Sequence, residues 1–256
     1  MNYTLSPRLS IIADEIEKKG NQDIVYDIGA DHAYLPIYLV KKQLCRTVAA
    51  TDISPSSLTK ARINAIKNNT PVFDGPVAGF QPSGSIILYT GDGLNAVPDF
   101  LPGKIVIVAG IGAPNLIGIL ERGLEHAKAA SLLILQPMSS QERLRAWLLN
   151  NSFEIINERL AREGNRIYSI ILTRYSDNPP TYAPEDIYLG CRVRYNDRDE
   201  YTHYLRFTRL KIANRYRGLI ISFNKMNTRY GNIDRIEEAA QLKTALDTID
   251  SLLISE

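Results

Sequence analysis

The stretch Asp27-Ile28-Gly29-Ala30-Asp31-His32-Ala33-Tyr34-Leu35-Pro36 follows one apolar run and leads into another, so it reads as a turn from strand to helix. Two carboxylates, a glycine and an imidazole share that turn. Asp52 closes the next apolar run, 25 residues after Asp27. A carboxylate at that strand end can accept both ribose hydroxyls of a nucleoside. A dinucleotide turn would read G-x-G-x-x-G, with its second glycine admitting a diphosphate and its third admitting close helix packing. Here those two positions hold Asp31 and Tyr34. A carboxylate repels a diphosphate, whereas it accepts a hydrogen bond from an amino group or faces a cationic sulfonium. The turn therefore points to a positively charged nucleoside without phosphates, and away from NAD. Simpler roles stay open, because Asp31 can cap the following helix, Asp27 can merely form the turn, and His32 can be a structural hydrogen-bonding group rather than a general base.

Other strand ends carry the same kind of residue. Thr90-Gly91-Asp92-Gly93-Leu94 exposes backbone on either side of a carboxylate that can accept from the exocyclic amine of adenine. Asp52-Ile53 ends the second strand, and Ala109-Gly110-Ile111-Gly112-Ala113 ends the fourth with small residues that leave room for a methyl donor and an incoming base. Gln136-Pro137, after the fifth strand, is expected at the same mouth. Glycine or aspartate at four successive strand ends implies one shared cleft at the carboxyl edge of a sheet.

The elements that must position these residues follow from periodicity. Residues 8–19 carry apolar positions at Leu9, Ile12, Ala13 and Ile16, the spacing of one helical face, after a Ser6-Pro7 start. Short, nearly apolar runs at 24–28, 48–53, 86–89, 105–109 and 132–135 alternate with helix-compatible segments such as 57–67, 115–128 and 141–150. That pattern predicts a parallel sheet covered on both faces. Residues 153–160 and 166–173 then read as an antiparallel hairpin around Arg162-Glu163-Gly164-Asn165. A doubly wound sheet ending in a hairpin favours the methyltransferase version of the Rossmann-like fold. Residues 69–84, rich in Pro and Gly, read as a long surface loop.

Asp177-Asn178-Pro179-Pro180 reads as a linker, which sets a catalytic domain at 1–175 and a second domain at 181–256. In the second, Leu205, Thr208, Ile212, Tyr216, Leu219, Phe223 and Met226 recur at helical spacing. After Gly231-Asn232, Ala239, Leu242, Leu246, Ile249 and Leu253 do the same, predicting an antiparallel helical pair of coiled-coil character. Residues 192–229 hold ten Lys or Arg, among them Arg206, Arg209 and Arg215, against three acids, a local net of +7 with tyrosines interleaved. These cations can face phosphates. The alternative is a solvated face paired with Glu237, Glu238, Asp247 and Asp250 of the second helix.

Composition narrows the classes. With 256 residues and 45% hydrophobic content the chain can bury a full core, and its overall charge of +2 is nearly neutral. Cys45 and Cys191 are isolated thiols, which suggest neither a disulfide framework nor a metal site. No run has the length of a membrane span, and Met1-Asn2-Tyr3-Thr4 lacks the pattern of an export signal, so a cytoplasmic protein with no membrane partner is expected.

The motifs at 27–36, 91–94, 109–112 and Leu133-Ile134-Leu135-Gln136-Pro137, in this order, resemble the TrmK family of bacterial tRNA methyltransferases. These transfer a methyl group from S-adenosylmethionine to N1 of the adenine at tRNA position 22. The resemblance covers residues 5 to about 175, and D-I-G-[SA]-D-H-A-Y-L-P is its specific part. It implies a class I methyltransferase sheet with a C-terminal helical domain that engages tRNA; separately, a monomer without a metal is expected. Asp27, Gly29, Asp31, His32, Asp52, Ile53, Gly91, Asp92, Gly93, Ala109 and Gly110 would then surround the cofactor, with Asp31 and His32 nearest the reaction centre. Ile111, Gly112, Gln136 and Pro137 would face the base, and Arg206, Arg209 and Arg215 the tRNA backbone. The family's A-G-M-G-G reads Ala109-Gly110-Ile111-Gly112-Ala113 here, and its Q-P-N reads Gln136-Pro137-Met138, which removes an Asn side chain that could bond the base. A methyltransferase for another RNA, a protein or a small molecule, and a non-catalytic RNA-binding protein on this fold, are the competing readings.

Overall fold

The computed structural model describes residues 4–75, 83–98, 100–190, 198–225 and 233–254. It divides into two compact units, Met1–Pro179 and Pro180–Glu256. In chain order the first unit holds α1 (Pro7–Glu17), β1 (Gln22–Ile28), α2 (Tyr34–Lys41), β2 (Cys45–Asp52), α3 (Pro55–Lys67), β3 (Val72–Asp74) and β4 (Ser85–Thr90). A short 3-10 turn at Gly93–Ala96 precedes β5 (Ile105–Ile111), α4 (Ala113–Arg122), α5 (Leu124–Ala129), β6 (Leu132–Pro137), α6 (Gln141–Asn150), β7 (Phe153–Glu163) and β8 (Arg166–Tyr175).

All eight strands form one sheet in the order β3-β4-β2-β1-β5-β6-β8-β7. Every pairing is parallel from β3 to β6, and β8 runs antiparallel to both β6 and β7. The hairpin inferred from 153–173 is thus present, closing through Gly164 at φ 60°. Helices α1, α2 and α3 pack on one face of the sheet, and α4, α5 and α6 on the other. This double cover explains why β1 and β6 read as unbroken apolar runs, since both faces of each strand are buried. The order reverses at β1, whose neighbours are β2 and β5, so a crevice opens above the carboxyl ends of these three strands.

Two local readings are corrected. Residues 69–84 are not wholly a loop, because Val72–Asp74 pairs with β4 as an edge strand and Arg62 of α3 forms an ion pair with Asp74. Residues 76–82 of that stretch lie outside the described residues. The helix expected over 115–128 is two helices broken at Gly123, where a Cβ would stand 2.6 Å from the Leu94 Cβ. The break lets the chain pass against the 3-10 turn. Cys45 is buried on β2, and burial pushes its thiol up to about 12, so it behaves as an inert apolar group. Cys191 lies outside the described residues.

The second unit holds α7 (Asp186–Leu189), α8 (Arg198–Lys225) and α9 (Ile233–Ile254). Arg209 of α8 pairs with Asp250 of α9, and Arg215 with Glu238, so residue numbers rise along one helix as they fall along the other. The pair is antiparallel. Tyr204, Leu205, Thr208 and Ile212 of α8, and Ala239, Leu242, Ala245 and Ile249 of α9, are the buried seam. Arg192, Arg194, Met226, Arg229 and Gly231-Asn232 fall outside the described residues. No described helix is long and apolar enough to cross a membrane.

Candidate functional site

The end of β1 forms an unusual turn. Gly29 sits at φ 78°, Asp31 at φ 44° and Ala33 at φ 55°, three alternate residues in left-handed backbone. For Asp31 and Ala33 this conformation is uncommon and needs support from the surroundings. Support comes from β2, where the Thr51 carbonyl accepts from the N–H groups of Gly29 (2.8 Å) and Ala30 (2.9 Å). Asp52 Oδ2 accepts from the Asp31 N–H at 3.2 Å, and Oδ1 from the Ser54 N–H at 2.8 Å. On its other side the Asp52 carbonyl accepts from Gly91 N–H at 3.1 Å, so one residue ties together the turns after β1 and β4.

These turns enclose a cavity of about 470 Å³. Asp27, Gly29, Asp31, His32, Asp52 and Ile53 line it from β1 and β2, and Gly91, Asp92, Gly93, Ala109 and Gly110 from β4 and β5. Every residue expected at the cofactor therefore borders one space. The glycine at 29 is required sterically as well as conformationally, because a Cβ there would come within 2.9 Å of Ile111 Cδ1.

The carboxylates differ in setting. Asp27 is 5% exposed. Burial, and then the charge of Asp52, raise its pKa to about 7. The Asp31 side chain is 63% exposed, and its Oδ2 lies 3.5 Å from His32 Nε2. Helix α2 begins at Tyr34 with Ala33 as its N-cap and no side-chain capping bond, so Asp31 does not cap it. The His32 ring stacks on that of Tyr34, with centroids 5.5 Å apart and planes at 13°. Asp92 borders the cavity, but its carboxylate is held by Arg122 through Nε and Nη2, each at 2.8 Å. An adenine amine there would share an acceptor already engaged.

The expected substrate side is only partly assembled. Ile111 lines the cavity and Gly112 is the N-cap of α4. Gln136 and Pro137 sit behind the wall, since both are buried and neither borders the cavity. Gln136 Oε1 accepts from Gly110 N–H at 3.0 Å and from Arg8 Nη1 at 3.1 Å, so it braces the turn after β5 instead of presenting an amide to a ligand. Met138, the next residue but one, does line the cavity.

Sequence reading missed Arg8. It lines the cavity from the first turn of α1, held by Gln136 and by Met138 Sδ at 3.3 Å, with Nε 3.4 Å from Glu163 Oε1. One signal was available. Pro7 starts α1, no acid lies in its first turn, and a cation there opposes the helix macrodipole.

The second unit divides the predicted basic face. Arg209 is bound by Asp250, with one contact from Nη2 to Oδ2 at 3.0 Å, and Arg215 is bound by Glu238. Arg206 is exposed, as are Lys211 and Arg217, and from Tyr201 to Lys225 the chain has no acidic residue.

The lining fits a sulfonium nucleoside. Asp52 keeps lone pairs for ribose hydroxyls after accepting two backbone N–H groups. Ile53, 70% exposed beside it, offers an apolar plate to a base. Asp31, and Asp27 above about pH 7, supply negative charge at the end of β1.

The family model described as a methyltransferase domain matches residues 5–171. The chain is 30% identical over 190 residues to a candidate tRNA methyltransferase of Mycoplasma genitalium, covering 74% of this chain and 78% of that one. It is 28% identical over 189 residues to the tRNA (adenine(22)-N(1))-methyltransferase of Bacillus subtilis, covering 74% and 73%. The solved structure of M. capricolum TrmK in complex with S-adenosyl-homocysteine aligns at 25% identity and a TM-score of 0.69, covering 96% of this chain and 98% of that one.

Proposed function

The chain belongs to the methyltransferase-domain family, and from that premise we propose that it transfers a methyl group from S-adenosylmethionine to N1 of the adenine at position 22 of tRNA. The observation that carries this is the cavity over β1, β2 and β5, acidic, glycine-lined and tied together by Asp52.

S-adenosylmethionine, when bound, supplies an electrophilic methyl carbon on a sulfonium. Asp52 would hold its ribose, Ile53 would pack on its base, and the Gly29 turn would pass beneath it. Adenine N1 carries an accessible lone pair, so the chain has to align it and has no proton to remove from it. The methylated ring is cationic. Asp31, exposed at the cavity and held in place through its backbone, is suited to stabilise that developing charge. His32 and Tyr34 form a stacked pair beside it, a surface on which a flipped-out base can rest. Extracting a base from folded tRNA costs about a few kcal/mol. Contacts from the acid-free stretch of α8 to phosphates would offset it. We propose a monomeric enzyme that acts on tRNA in the cytoplasm.

The test is incubation of unmodified tRNA with the full chain and labelled cofactor, followed by mass mapping of the nucleosides. 1-Methyladenosine at position 22 is expected. Label at another nucleoside, or no label, overturns the assignment.

A further inference from the structure

The opposite end of the sheet carries a second cavity, of about 410 Å³, within the size range of small-molecule sites. It lies between the end of α2, the start of β2, the connection from α3 to β3 and the start of β4. Cys45, the first residue of β2, lines it, and Asp52, the last, lines the cavity assigned above to the methyl donor. A strand of eight residues rising roughly 3.3 Å per residue sets the two about 23 Å apart. This cavity therefore serves a different ligand.

Its chemistry is that of an anion site. Lys41 and Arg46 border it, and among the described lining residues there is no carboxylate. Lys41 has no acidic partner among the described residues. Arg46 meets Asp23 only at 3.9 Å, and Asp23 also meets Lys104 at 3.6 Å. The carbonyl ends of α2 and α3 do not make the cavity a cation site, because the carbonyls of Leu39, Val40, Ala65 and Ile66 already accept backbone N–H groups. The decisive group is Thr70. It lines the cavity, is 4% exposed, and its Oγ1 is buried without a hydrogen-bond partner among the described residues. An unpaired buried hydroxyl costs stability, and an acceptor brought by a ligand accounts for it. Asn21, Gln43 and Asn69, all exposed, add amide donors at the rim.

We propose that this cavity binds a phosphate group, with Lys41 and Arg46 supplying charge and the Thr70 hydroxyl donating from the buried wall. Two sources present that chemistry, a free phosphorylated compound and a phosphate of tRNA. The burial of Thr70 favours the first, because a terminal phosphate can reach a recessed hydroxyl, whereas a backbone diester carries a ribose on either side. None of these residues borders the other cavity, so the site stands whether or not that cavity takes a methyl donor.

The experiment is titration calorimetry of the full chain with inorganic phosphate at constant ionic strength. It is repeated on Thr70→Val and on the double change Lys41→Gln with Arg46→Gln. The unsubstituted chain is expected to bind phosphate. Thr70→Val, which keeps the shape and removes the hydroxyl, should weaken binding by about 10-fold, and the double change by at least about 10-fold, the scale of hydrogen bonds to a charged group. Thr70→Ser, which retains the hydroxyl, should stay within about threefold of the unsubstituted chain. Without phosphate, Thr70→Val should melt no lower than the unsubstituted chain, since it loses only an unpaired buried group. A lower melting temperature would mean that the fold already uses the hydroxyl, and overturns the proposal. No binding by the unsubstituted chain overturns it, and so does binding that no substitution weakens, which would put the phosphate on another basic surface such as α8. Loss on the double change alone would reduce the site to diffuse surface charge and overturns it too. Filter binding of tRNA to the double variant separates the sources. Unchanged tRNA affinity assigns the site to a free phosphorylated compound, and a loss parallel to that of inorganic phosphate assigns it to tRNA.

Discussion

The side chain of Asp52 accepts the backbone N–H of Asp31 at 3.2 Å, so the carboxylate suited to a ribose also fixes the left-handed residue that carries the candidate catalytic carboxylate. Ligand binding and alignment are therefore coupled through one residue. Asp52→Ala should weaken S-adenosylhomocysteine binding by at least about 10-fold, since each charge-assisted bond it removes is worth roughly 1.5–3 kcal/mol. It should also lower the turnover rate at saturating cofactor, because the Asp31 N–H loses its acceptor. Affinity from calorimetry and turnover from single-cycle kinetics measure the two effects. A loss of affinity with full turnover would show that the backbone contact has no role in alignment.

Asp31 itself is open to a cleaner test. Its side chain is exposed and caps no helix, and Asn tolerates the left-handed backbone at this position as Asp does, so Asp31→Asn should leave folding intact. Asp31→Asn should reduce methyl transfer by about 10²–10³-fold, the usual scale for one preorganised electrostatic contact. The tRNA affinity should stay within about twofold. An unchanged rate removes Asp31 from the mechanism.

Asp27 makes stability depend on pH. Its folded pKa is about 7, raised by burial and then by Asp52, against roughly 3.9 for an unfolded aspartate. Between these values the folded chain binds the proton more tightly than the unfolded one. The stabilisation is complete below about pH 4 and is lost as pH rises through about 7. Asp27→Asn, neutral throughout, should lack this decline. The measurement is the difference in unfolding free energy between the two proteins across pH 4–8 by urea titration. A constant difference would show that Asp27 ionises as freely in the folded chain as in the unfolded one.

Much of the cavity was legible in the sequence because its parts lie at strand ends. Asp27, Asp52, Gly91 and Gly110 each follow an apolar run, and a doubly wound sheet brings such ends to one edge. What was not legible depends on facing and distance. Gln136 ends a run buried on both sides, so periodicity cannot say whether its amide points into the cavity or behind it. Arg8 is 128 residues from Gln136 in the chain, and only the packing of α1 onto β7 and β8 brings them together. The edge strand at Val72–Asp74 was hidden for another reason, being three residues long among turn-forming neighbours.

The acid-free stretch of α8 sorts its cations into two kinds. Arg209 and Arg215 are paired across to α9, and Asp250 and Arg209 shift each other's pKa, Arg209 upward and Asp250 downward, mainly through their hydrogen bond. An exposed pair of this sort contributes about 0–1 kcal/mol to stability, and it offers less free charge to a phosphate. Arg206, Lys211 and Arg217 are exposed and have no acidic partner among the described residues, and Phe207 lies beneath the Lys211 ammonium at 5.8 Å. The double change Arg206→Glu and Arg217→Glu should weaken tRNA binding. It should also flatten the dependence of log affinity on log salt by about 0.7–0.9 for each phosphate that is no longer neutralised. Arg209→Gln combined with Asp250→Asn, which removes a pair without changing net charge, should leave that slope unchanged. Filter binding across a salt series measures both. If the second variant flattens the slope and the first does not, the paired arginines carry the phosphate contacts and the division drawn from the ion pairs is wrong.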